Sequence, residues 1–190
     1  MTVTGESDEN LMLRYGRGDA AAFELLYRRH ELRVWHYLER NVGNAATAEE
    51  LMQEVWFAVA RDAPHYQPTA RFTTWLFTIA HHRMIDFMRT SRRQSSLEAL
   101  GYEAESVVEQ LTSEPSAGPF AAAVAHDRAG ALVRAFEKLP GEQRDAFLLQ
   151  VEGELSVEEI AAITDSSFET AKSRLRYARK KLRELLKEHE

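Results

Sequence analysis

Across residues 170–187, eight lysines or arginines stand against a single acid, Glu184, in a chain whose formal net charge is −6. A cationic stretch of this density points to phosphate binding, because an otherwise acidic body repels a polyanion everywhere but at that one face. Phe168, Ala171, Leu175, Ala178 and Leu182 recur at steps of three and four, which predicts one helix with a buried apolar stripe. Its opposite side carries Lys172, Arg174, Arg176, Arg179, Lys180, Lys181 and Arg183. Ser167, Thr170 and Ser173 fall near its start, where a helix laid in the major groove offers hydrogen-bonding groups to base edges. A solvated helical hairpin can share this pattern; the contrast with the acidic remainder favours nucleic acid.

Other chemistries lack their parts. There is no cysteine, so disulfides, thiolate metal sites and a cysteine nucleophile are excluded, and seven histidines are the only soft ligands. His81 and His82 are adjacent, and neighbours on a helix point about 100° apart, too far to share one metal; they read as DNA-facing or solvated. With no HExxH, no Gly-rich phosphate cradle and no set of nucleophile, base and orienter, an enzyme such as a helical hydrolase is disfavoured. No catalytic residue, metal or cofactor is expected.

The basic helix needs a scaffold. Ser156 with Glu159, and Ser166 with Glu169, both satisfy the S-x-x-E capping pattern, so residues 155–182 read as a helix-turn-helix. Upstream, residues 11–17 predict a short helix, and Asp19 caps a longer one to about Arg40 through Phe23, Leu26, Tyr27, Val34 and Leu38. Thr47 with Glu50 is a third capping pair, opening a helix through Leu51, Val55, Phe57, Ala58 and Ala60 that stops before Pro64. Residues 65–71 form a loop holding Tyr66. Thr73 or Thr74 caps the helix TWLFTIAHHRMIDFMR, which ends in Arg89, Arg92 and Arg93.

From 94 to 126 the periodicity dissolves into small, polar and acidic residues, with five glutamates and Pro115, Gly118 and Pro119, as in a flexible linker. A second helical unit covers 127–138; Pro140 starts the next helix, whose apolar face is Phe147, Leu148 and Val151 before Gly153. No strand-like alternation appears. The expectation is an all-α chain of two small helical domains, 1–93 and 127–190, joined by an acidic flexible linker, 94–126, the second domain a helix-turn-helix. The amino terminus, MTVTGESDEN, lacks a charged and an apolar leader region, and no run is long enough to cross a bilayer, so a cytoplasmic protein without membrane insertion is expected.

With both ends laid out, the chain resembles extracytoplasmic-function sigma factors of the sigma-70 family. The likeness lies in GDAAAFELLYRRH, AEELMQEVWFAVARDAPHY and FTTWLFTIAHHRMIDFMR in the first half, and in FEKLPGEQRDAFLLQVEGELSVEEIAAITDSSFETAKSRLRYARKKL in the second. It implies binding to core RNA polymerase, recognition of two promoter elements in double-stranded DNA, capture of melted DNA, and control by an anti-sigma factor. Carried over by motif, the helix at 48–60 docks on the polymerase through Glu50, Leu51, Gln53 and Glu54, with Leu51 burying against it. Tyr66, Gln67, Thr69 and Ala70 shape a pocket for bases of the minus-ten element, adjoined by Trp75, Thr78, His82 and Arg83, with Arg89 on the backbone. Ser167, Thr170, Lys172, Ser173, Arg174, Arg176 and Arg179 face the minus-thirty-five element.

The sequence departs from the family at Gln67-Pro68, where Arg-Gly is common, at His81-His82 in place of an Arg-Asn pair, and at Tyr177 in place of a basic residue, with Arg176 gained beside it. Base specificity is therefore not carried over. Glu169 either caps or accepts from a cytosine amino group. Trp75, Phe77, Ile79 and Phe87 at helical spacing fit a core stripe as readily as a stacking platform. The competing reading is a stand-alone helix-turn-helix regulator whose first domain dimerises or senses a ligand.

Overall fold

The computed structural model of the chain describes residues 5–98 and 135–187, and all regular structure among them is helical. The first unit has α1 (Asp8–Gly16), α2 (Ala20–Val42), α3 (Ala45–Asp62), a 3-10 turn (Ala63–His65) and α4 (Phe72–Glu98). The second has a helical segment at 135–137, then α5 (Gly141–Val151), α6 (Val157–Ile163) and α7 (Phe168–Lys187). The expected helix start near Asp127 and most of the expected linker lie outside the described residues. At its near end α4 continues to Glu98, past the predicted end of the first domain at 93.

Local chemistry explains the boundaries. Asp19 caps α2 as expected, its carboxylate accepting from the Ala21 N–H at 3.1 Å. α3 starts earlier than predicted, because the Asn44 side chain accepts from the Thr47 N–H at 2.9 Å; Thr47 lies inside the first turn and does not open the helix. α4 likewise starts at Phe72, whose N–H donates to Glu9 at 2.7 Å, so neither Thr73 nor Thr74 is the cap. Pro140 lies one position before the helix it was expected to start.

Leu11, Met12, Leu26, Val34, Leu38, Leu51, Val55, Val59, Phe72, Leu76, Phe77 and Met84 fill the first core. Gly16 lets α1 approach the 3-10 turn: a Cβ there would stand 2.4 Å from the Ala63 carbonyl oxygen. That contact seats the start of the loop at 65–71 on the core. Leu148, Leu149, Ile160, Ala171, Leu175, Ala178 and Leu182 fill the second core. Phe168 departs from the predicted stripe, being 41% exposed with the Lys172 ammonium 5.7 Å from its ring centre.

Candidate nucleic-acid interface

The helix-turn-helix is held by two caps. Ser156 and Glu159 form the expected reciprocal box at the start of α6. The second cap is displaced by one residue from the expected Ser166: the Thr170 N–H donates to Ser167 Oγ at 3.1 Å, while Ser166 Oγ meets Thr164 Oγ1 at 3.0 Å. Between them Asp165 takes the left-handed conformation, φ 47°, which turns α7 out of line with α6. Ser167 is thus engaged as a cap, and Thr170, Lys172, Arg176 and Arg179 are exposed on α7, with Ser173 and Arg174 half-buried. Arg174 donates to Glu142 at 2.6 Å and Arg179 donates to Gln150. The Arg176 guanidinium lies 4.9 Å from the Tyr177 ring centre, and Glu169 faces Lys172 at 3.6 Å. The outcome is a row of cations standing clear of the core, suited to a phosphate backbone.

On the first unit, Gln67, Thr69 and Ala70 are exposed on the loop, and His82 and Arg89 are exposed along α4, with Trp75, Thr78 and Arg83 half-buried. Tyr66 is buried instead, edge-on to Trp75 at 5.0 Å and to Phe72 at 6.3 Å, so it supports the loop from beneath. Burial, then the nearby Glu9 and Asp8 carboxylates, push its phenol up to about 12. The Thr78 hydroxyl donates to the Thr74 carbonyl at 2.7 Å. Arg89 is paired weakly with Asp86 at 3.8 Å.

On α3, Glu50, Gln53 and Glu54 lie on the exposed side as expected. Leu51 does not. It is 3% exposed, one turn from Val55 on the core face, so it cannot bury against another protein without unfolding this one. The apolar group that does stand on the exposed side is Phe57, 72% exposed, and the helical repeat explains it: 50, 53, 54 and 57 share one face, 51, 55 and 58 the other.

The two units also touch through polar groups that sequence reasoning missed. The Tyr37 hydroxyl donates to Asp145 at 2.7 Å, and His81 Nδ1 lies 3.2 Å from the same carboxylate, all three buried. His81 is therefore neither solvated nor DNA-facing as placed here. Burial, then Asp145, hold the Tyr37 phenol well above its ordinary range, so it keeps the proton it donates. Arg40 donates to Glu152 at 2.5 Å and Arg71 to Glu159 at 2.7 Å. No local sequence signal marks these pairs, whose members lie 64 to 112 residues apart.

Comparison with known proteins follows the same division. Residues 26–94 match sigma-70 region 2 and residues 129–182 match sigma-70 region 4. The sigma factor CarQ of Myxococcus xanthus is 36% identical over 180 residues, 94% of this chain and 97% of that one. SigK, an extracytoplasmic-function sigma factor of Mycobacterium ulcerans, is 32% identical over 185 residues, 96% of each chain. Among solved structures, the sigma factor RpoE of Bartonella quintana, in complex with the anti-sigma factor NepR, matches with a TM-score of 0.63 and 25% identity over 87% of this chain and 96% of that one. Two sigma regions in this order, with relatives similar over nearly their whole length, place the chain in the extracytoplasmic-function group of the sigma-70 family of RNA polymerase sigma factors.

Proposed function

We propose that this chain directs core RNA polymerase to a promoter by dividing the work among three faces. The outer side of α3, with Glu50, Gln53, Glu54 and Phe57, docks on the polymerase: carboxylates meet basic groups, and the exposed ring takes the anchoring part first assigned to Leu51. The loop at 65–71 and α4 meet the minus-ten element. There Gln67, Thr69, Ala70, Trp75 and His82 contact bases drawn out of the stack, and Arg83 and Arg89 contact the strand's phosphates. Unpairing costs a few kcal/mol per base, and without ATP it is offset by contacts made only to the opened strand. The start of α7, with Thr170 and Ser173, enters the groove at the minus-thirty-five element, where Lys172 and Arg176 meet phosphates, Ser167 fixes the helix start, and Arg174 and Arg179 lie alongside, held by Glu142 and Gln150.

The observation that carries this reading is the pairing of two sigma regions in one chain, each presenting an exposed polar face free of its own core. No catalytic residue is assigned, since the work is binding. A cytoplasmic site of action follows from a polymerase partner, and no helix among the described residues is long and apolar enough to cross a membrane. The anti-sigma complex of the Bartonella relative supports a similar inhibitor for this chain, seated over faces that polymerase or DNA would otherwise use.

The test is a gel shift on promoter fragments with and without core polymerase, followed by run-off transcription. Retention of specific DNA and RNA synthesis only with polymerase is the expected outcome. Tight, symmetric-site binding by the isolated chain, with no polymerase association, would instead identify a stand-alone regulator.

A further inference from the structure

Arg71, just before α4, and Thr74, in its first turn, line up with Trp75, Thr78 and His82 on the minus-ten face, yet neither is among the DNA contacts proposed there. Both point at one acceptor. Arg71 Nη2 and Nε donate to the two carboxylate oxygens of Glu159 at 2.7 and 3.3 Å, and the Thr74 hydroxyl donates to one of them at 2.5 Å. Arg71 Nη2 also donates to the Glu154 carbonyl at 2.9 Å. Burial pushes the Glu159 carboxyl up, but these donors and the Ser156 N–H outweigh it and hold the group at about 2, an anion throughout the physiological range. A planar guanidinium fork with a hydroxyl beside it is equally a donor set for two oxygens of a phosphodiester.

We propose that Arg71 and Thr74 bind a backbone phosphate of the opened DNA strand, and that Glu159 of the second unit takes this place in the closed chain as an internal competitor. The inference rests on reading α4 as the minus-ten face. Arg71 is half exposed, and an ion pair in that setting is weak by itself. Two further features let it compete: acid and base belong to one chain, which raises their effective concentration, and the buried Tyr37, His81 and Asp145 contact keeps the units together. Polymerase, by fixing the two units apart on a promoter, would free the donors for DNA.

Fluorescence anisotropy of the full chain with a short, mixed-sequence single-stranded DNA tests this at low salt. Glu159→Gln keeps a side chain able to close the Ser156 capping box while removing the charge. It is expected to bind about tenfold more tightly than the unaltered chain. Adding Arg71→Ala should return it to the original affinity, and Glu158→Gln, which deletes an exposed neighbouring charge, should gain nothing. No gain with Glu159→Gln, an equal gain with Glu158→Gln, or a gain that survives Arg71→Ala would each overturn the proposal. Polymerase is absent from this assay. A failure here therefore stands apart from a failure of the gel shift, which would overturn the functional reading itself.

Discussion

At the scale of single residues, charge alone does not decide which cations meet DNA. Arg174 and Arg179 are engaged by Glu142 and Gln150, whereas Lys172 and Arg176 stand out from α7, Lys172 beside Glu169 and Phe168 and Arg176 beside Tyr177. Lys172→Ala and Arg176→Ala are therefore expected each to reduce the salt slope of promoter binding by about one. Salt titration of the polymerase complex on promoter DNA measures it, and polymerase association should not change. An unaltered slope would remove that residue from the phosphate contacts. Residue types and spacing made most of this face legible in the sequence. The engagement of Arg174 was not, since Glu142 lies 32 positions away.

At the scale of elements, the helical repeat sorts α3 into a core side and an outer side. Leu51→Ala should cost about 2–5 kcal/mol of folding stability, as buried leucines do. Phe57→Ala should leave thermal unfolding nearly unchanged while weakening polymerase affinity about tenfold or more, the loss typical of an anchoring aromatic. Thermal denaturation and quantitative pull-down separate the two, and preserved affinity in Phe57→Ala would refute this docking face. Helix existence and type were readable throughout, because apolar spacing dictates them. Helix starts were less so. The S-x-x-E pattern does not by itself fix the cap, because any nearby Ser, Thr, Asn or Asp can supply the acceptor, and Asn44 and Ser167 took the place of Thr47 and Ser166. The sequence reading set Leu51 against a partner although its 100° step from the exposed Glu50 turns it inward with Val55.

At the scale of the whole molecule, the two units expected as separate heads are in contact, and ionisation tunes that contact. Because the Glu159 carboxyl lies below its ordinary 4.5, at about 2, the stabilisation it lends is complete above the ordinary value and disappears as pH falls through the lower one. Energy transfer between dyes on α2 and α5 should therefore hold steady at neutral pH and fall between about pH 4.5 and 2, with Glu159→Gln abolishing the Glu159 share of the change. A transition unaffected by that substitution would assign the pH response elsewhere. None of this could be read locally, since sequence spacing reports neighbours along a helix and is silent on groups more than 80 positions apart.

The meeting of Tyr37, His81 and Asp145 has a further consequence for how such a molecule comes undone. A greasy seam, once parted, would leave two sticky scars prone to clump with other copies. A hydroxyl, an imidazole and a carboxylate can each be rehydrated on separation, so water takes over the bonds they relinquish. Where these three groups meet, the join is thus fixed in its geometry and cheap to reopen.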